Sequence, residues 1–173
     1  MKLVKLPLFF VLVVLTLTNY SCSSSDGSTK ESAISAQTEN YIKDISAATL
    51  YDPLEQKGFK IDKQIGADVI FVDCDRSMSN FSEHVRISGD EPSKINEVRA
   101  SYTNYSTGNI NELAKQFLSF IATLPYENAN PEQAKKWIEA NISKNTKLEI
   151  NGVIFELIGN SKNIRTLILT PAK

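Results

Sequence analysis

Leu148-Glu149-Ile150-Asn151-Gly152-Val153-Ile154-Phe155 is the stretch that decides the fold. Asn and Gly both tolerate positive φ, so Asn151-Gly152 suits the two-residue type I′ turn that joins antiparallel strands. Counting back from that turn pairs Ile150 with Val153, Leu148 with Phe155, and Lys147 with Glu156. The apolar pairs then share one face and the charged pair takes the other, so turn chemistry and alternation agree on a single register. A hairpin of this kind predicts an antiparallel sheet with one apolar face, not a parallel α/β core.

Working outward, Ile164 to Thr170 alternates as a last strand. Upstream, Ile110, Leu113, Ala114, Phe117, Ile121 and Leu124 form an apolar stripe at helical spacing, opened by Asn109 and Glu112 in a capping-box pattern. Asn130-Pro131 starts a second helix with Ala134, Trp137, Ile138 and Ile142 inward. A short link through Tyr126 makes the two antiparallel neighbours.

The first half reads as a helical lead followed by a meander. Ile34, Tyr41, Ile42 and Ile45 recur at helical spacing to about Tyr51, and Asp52-Pro53-Leu54-Glu55 signals a second, short helix ending near Gly58. From Phe59 the period shifts towards two, and Val69-Ile70-Phe71-Val72 is apolar on both sides, as in a central strand. Strands follow at His84 to Ser88 and Ile95 to Thr103. The halves echo each other, with Val-Ile-Phe at Val69 to Phe71 and again at Val153 to Phe155, a pattern compatible with two αβββ-like halves. The expected architecture is a two-layer α+β domain over residues 33–173, an antiparallel sheet of about six strands with helices on one face.

Before that domain stand Lys2 and Lys5, an apolar run from Leu6 to Leu17, then Ser21-Cys22 and the polar stretch Ser23-Ser24-Ser25-Asp26-Gly27-Ser28. The run is about a dozen residues, short of the ~20 that cross a hydrocarbon core, and reads as a secretory signal over residues 1–21. A small residue directly before a cysteine resembles the lipobox of bacterial lipoproteins, in the loose form of the Bacteroidetes, although Asn19 and Tyr20 stand where that box has Leu and a small residue. The resemblance implies diacylglycerol and palmitate on Cys22, a flexible tether over residues 22–32, and an outer-membrane or other envelope location.

Composition narrows function further. Two of the 19 basic residues precede Cys22 and all 20 acidic ones follow it, leaving 17 against 20 and a net charge of −3. With Lys and Arg scattered, a nucleic-acid partner is not expected. His84 is the sole histidine, and Cys22 and Cys74 are the sole cysteines, so neither a Cys/His metal site nor any cofactor is expected. Cys74, unpaired once Cys22 is acylated, is expected in the core, on the face opposite His84.

Asp73-Cys74-Asp75 after an apolar strand resembles the first motif of haloacid-dehalogenase-type phosphatases. That likeness implies Asp73 as nucleophile and Asp75 as general acid/base beside magnesium. Ser77 matches the family only in part, no late acidic pair follows a strand, and the bland reading is a solvated loop from Asp73 to Glu83. Trp137 and Tyr102 fall in register with apolar neighbours, whereas Tyr105 and Tyr126 lie in predicted loops and are the better contact residues for a glycan or protein. The expectation is a membrane-anchored, non-catalytic envelope lipoprotein binding a protein or glycan, with the Asp73/Asp75 phosphohydrolase as the alternative.

Overall fold

The computed structural model describes residues 40–173 apart from 68, 108 and 160. The expected signal and tether, with Cys22 and Ile34, lie outside the described residues. The elements run α1 (Ala47–Gln56), β1 (Lys60–Ile65), β2 (Ile70–Ser77), β3 (Phe81–Glu91), β4 (Lys94–Asn104), α2 (Ile110–Ala122), α3 (Pro131–Asn141), β5 (Asn145–Ile150), β6 (Val153–Ile158) and β7 (Ile164–Pro171). All pairings are antiparallel, in a single sheet ordered β1-β2-β3-β4-β7-β6-β5. The α+β class and the one-sided helices are as the sequence predicts. Among the described residues, seven strands replace about six.

The 151–152 turn takes φ of +48° and +83°, and β5 and β6 pair Ile150 with Val153, Leu148 with Phe155 and Lys147 with Glu156. The last pair closes as an ion pair at 3.0 Å. Phe155 is fully buried, with Tyr126 tilted against it at 6.0 Å and Trp137 edge-on at 6.4 Å. The same alternation repeats across the sheet: Ile70, Val72 and Cys74 on β2, Val85 and Ile87 on β3, Val98 and Ala100 on β4, and Leu167 and Leu169 on β7 all turn to the core. At Gly89 the β3–β4 register shifts, and a Cβ there would strike the Lys94 carbonyl, so the bulge needs glycine.

Local signals fare unevenly. Asn130 caps α3 through Gln133 N–H, with Pro131 in the first turn. Asn109 caps α2 by accepting from Asn111 N–H, but Glu112 turns away to pair with Lys115, leaving half a capping box. One helix replaces the two expected before Gly58. Ser46 caps it, accepting from Thr49 N–H, and Pro53 lies inside it. Buried Leu50 and Leu54 flank the proline, so packing one continuous apolar stripe onto β1 and β2 outweighs the local break.

The halves are unequal, with four strands before α2 and three after α3. Their Val-Ile-Phe echoes stand in opposite phase: Ile70 is buried and Phe71 exposed, whereas Phe155 is buried and Ile154 half-exposed.

Gly152 has open space around its Cα, so Gly152→Ala meets no clash and costs only the left-handed backbone. The expected loss is about 1 kcal/mol, seen as a lower urea midpoint with an unchanged slope. An unchanged midpoint would mean that the turn does not impose the register.

Candidate functional site

β2 extends to Ser77 and β3 begins at Phe81, so the stretch from Asp73 to Glu83 is a hairpin and not a solvated loop. The apolar face carries β2 on past the four hydrophobic residues, because Cys74 continues the inward alternation of Ile70 and Val72. Asp73 and Asp75 therefore stand in mid-strand on the face away from the helices.

There they meet the neighbouring strand. Arg86 donates to both oxygens of Asp73, from Nε at 2.8 Å and Nη2 at 2.9 Å. His84 Nδ1 lies 2.8 Å from Asp75 Oδ1, and its Nε2 lies 3.5 Å from Asp73 Oδ1. Hydrogen bonds from Arg86 hold the Asp73 carboxyl below the usual carboxylate range. Both of its oxygens are committed to a guanidinium in an antiparallel sheet, where a phosphatase of the type resembled would present a free nucleophile at the end of a parallel strand. Neither aspartate lines any of the four principal cavities. Among the described residues, no group of three or more His, Cys, Asp or Glu is placed to hold a metal.

Cys74 is fully buried on the opposite face, paired in register with Val85, and burial pushes its thiol up to about 12. It is a small apolar core residue that does not meet His84. Tyr105 is 63 % exposed and shares a 2.8 Å hydrogen bond with Ser82, at the rim of the open sheet face. Tyr126 is a correction. Only 7 % exposed, it packs on Phe155 instead of facing solvent, and burial pushes its hydroxyl up to about 12. The helix–helix link carries an apolar anchor because Phe155 needs cover.

A second constellation escaped the sequence reading. Arg76 and Glu83 face each other across β2 and β3 on the apolar side, Arg76 Nε donating to Glu83 Oε2 at 2.6 Å. Arg76 also donates to the Lys57 carbonyl at 3.1 Å and lies 4.9 Å from the Phe59 ring. Glu83 is 4 % exposed, and burial raises its pKa against the opposing pull of Arg76. Beside this pair is a cavity of about 340 Å³, closed by α2 through Gln116, Phe117 and Phe120 and backed by Tyr102. The signal was legible: Arg76 falls in phase with Val72 and Cys74, and Glu83 with Val85 and Ile87, two opposite charges aimed into a core at one register position.

The two carboxyls respond to acid with opposite sign. Asp73 has a depressed folded-state pKa, so its stabilisation is complete above the unfolded value of about 3.9 and is lost as pH falls through the folded value. Glu83 has a raised one, so acidification from that raised value down to its unfolded value of about 4.3 favours the folded state. Asp73→Asn is expected to lower stability by about 1 kcal/mol or less at about pH 6, with Arg86 half-exposed, and the gap to wild type should narrow progressively as pH falls below about 4 in urea titrations. A gap that persists in acid would show that the pair is not what holds Asp73 ionised.

Set beside known proteins, the chain matches no family model, no curated protein and no solved structure.

Proposed function

We propose that this chain is a lipoprotein of a bacterial cell envelope, anchored through Cys22, whose folded domain binds a protein partner on the open face of its sheet. The observation that carries the binding half is the face itself. Among the described residues, all three helices pack on one side and no element covers the other.

Seven strands span six spacings of about 4.8 Å, and six-residue strands run about 20 Å, giving a face of roughly 600 Å². That approaches the ~800 Å² per partner of a specific protein complex. Its chemistry is a set of ion pairs, Asp73–Arg86, Glu97–Arg99 and Lys147–Glu156, interleaved with half-exposed Ile154 and Ile158. Mixed charges in fixed positions give register and specificity to a complementary protein surface. A sugar ring is best covered by aromatic platforms, and here Phe71 and Tyr105 stand at opposite ends of the strands, Phe71 partly under the Arg86 guanidinium.

The anchor rests on the charged start, the short apolar run and the placed Ser21-Cys22. Several acyl chains on Cys22, at ~0.8 kcal/mol per buried methylene, would suffice for attachment without an amphipathic helix. Among the described residues, no helix is long and apolar enough to cross a membrane.

Photo-crosslinking residues at Arg99 or Ile154 are expected to capture one and the same envelope protein in cells, while residues at Lys135 or Glu139, on exposed positions of α3, capture none. Equal capture from α3, or retention of a glycan fraction without any protein adduct, would contradict the reading. For the anchor, labelled palmitate is expected in wild type and absent in Cys22→Ala; unchanged labelling would remove it.

A further inference from the structure

The Glu83 cavity lies on the helix side of the sheet, away from the open face, and its construction points to a small ligand. At about 340 Å³ it stands at the lower end of ligand pockets, aromatic-walled with a few polar groups, as such pockets are. Phe59 and Phe117 stack on one another at 6.0 Å and 16°, and with Phe81 and Phe120 they make the cavity lining largely aromatic. At the back is Tyr102, 1 % exposed, whose hydroxyl has no hydrogen-bond partner among the described residues. Tyr102 lines the cavity, and a buried hydroxyl left unmatched is a standing cost to the fold that a polar group brought up to it from the cavity would relieve.

Charge decides which end of a ligand goes where. The Arg76 guanidinium offsets Glu83 at 2.6 Å, so that pair is close to neutral. Lys57 is different: its ammonium sits 4.4 Å from the centre of the Phe120 ring, on an exposed residue at the rim, and among the described residues no carboxylate pairs with it. The cavity thus carries one uncompensated positive charge at its mouth.

We propose that this cavity binds a compact aromatic molecule bearing a carboxylate at one end, held by Lys57, and a hydrogen-bonding group at the other, matched by Tyr102. The ring lies among the aromatic side chains that line the cavity, with Phe117 and Phe120 on the α2 side. Gln116, also lining the cavity, supplies a neutral amide within the same wall. The site is separate from the open sheet face, so either assignment stands or falls without the other.

The test titrates the full chain with 3-(4-hydroxyphenyl)propionate, 3-phenylpropionate and tyramine, following NMR shifts of the cavity residues. The hydroxylated acid is expected to bind about fivefold more tightly than the plain acid, the worth of one hydrogen bond, and at least about tenfold more tightly than the amine. Tyr102→Phe should abolish the fivefold advantage while leaving or raising the melting temperature, which a purely structural hydroxyl would not do. Lys57→Glu, a surface change, should weaken both acids about tenfold and spare the amine. Tyramine binding as well as the acids, an advantage that survives Tyr102→Phe, shifts confined to residues outside the cavity, or no saturable binding by any probe would each overturn the assignment.

Discussion

The structure depends on keeping the two faces of one sheet apart. Side chains alternate with a period of two, so a one-residue slip in any strand would carry its apolar set into water and its charges into the core. The 151–152 turn prevents this for β5 and β6, and Phe155 makes the penalty large: fully burying a side chain of that size is worth about 1.5–3 kcal/mol. Six antiparallel pairings then pass the same phase from strand to strand. The irregularity around Gly89 absorbs the two adjacent shifts in the β3–β4 register.

Two different surfaces follow from that segregation. On the open face, charged residues pair across strands, as Asp73–Arg86 and Lys147–Glu156 do, or along one, as Glu97–Arg99 does; these pairs are partly exposed, and each contributes little to stability. On the covered face the same cross-strand geometry places Arg76 opposite Glu83, where water is scarce. A buried ion pair of this kind is costly to desolvate and expensive to break, and it is poor evidence of a stability role. Its position at the edge of an aromatic cavity gives it a second role, that of holding a polar wall in place while leaving Lys57 as the charge a ligand meets.

Much of this was readable from the residues. The hairpin register, the inward Cys74, the outward His84 and the Asn130-Pro131 start all follow from local rules, because turn chemistry and alternation pointed the same way. Asp52-Pro53 misled, since a local helix-start signal competed with the stripe of Leu50 and Leu54 and lost to packing. Asp73-Cys74-Asp75 read as a strand end because two aspartates disfavour burial, yet only one face of the strand is buried and both lie on the other. Tyr126 read as a loop contact because its need for a partner, Phe155, is set by residues far along the chain. The cavity was hidden for the same reason: the link from α1 to β1, the β2–β3 hairpin, β4 and α2 close it, and no local pattern brings them together.

The two-faced sheet is tested most directly by thiol reactivity at adjacent positions. In chains carrying a single thiol after Cys22 is removed, native Cys74 is compared with a cysteine at position 75 in Asp75→Cys, Cys74→Ala, using a thiol reagent in native buffer. The account predicts that the thiol at 75 reacts about as fast as a free one, and that Cys74 reacts only as fast as the domain unfolds. Comparable rates at the two positions, or protection at 75 with reactivity at 74, would contradict it.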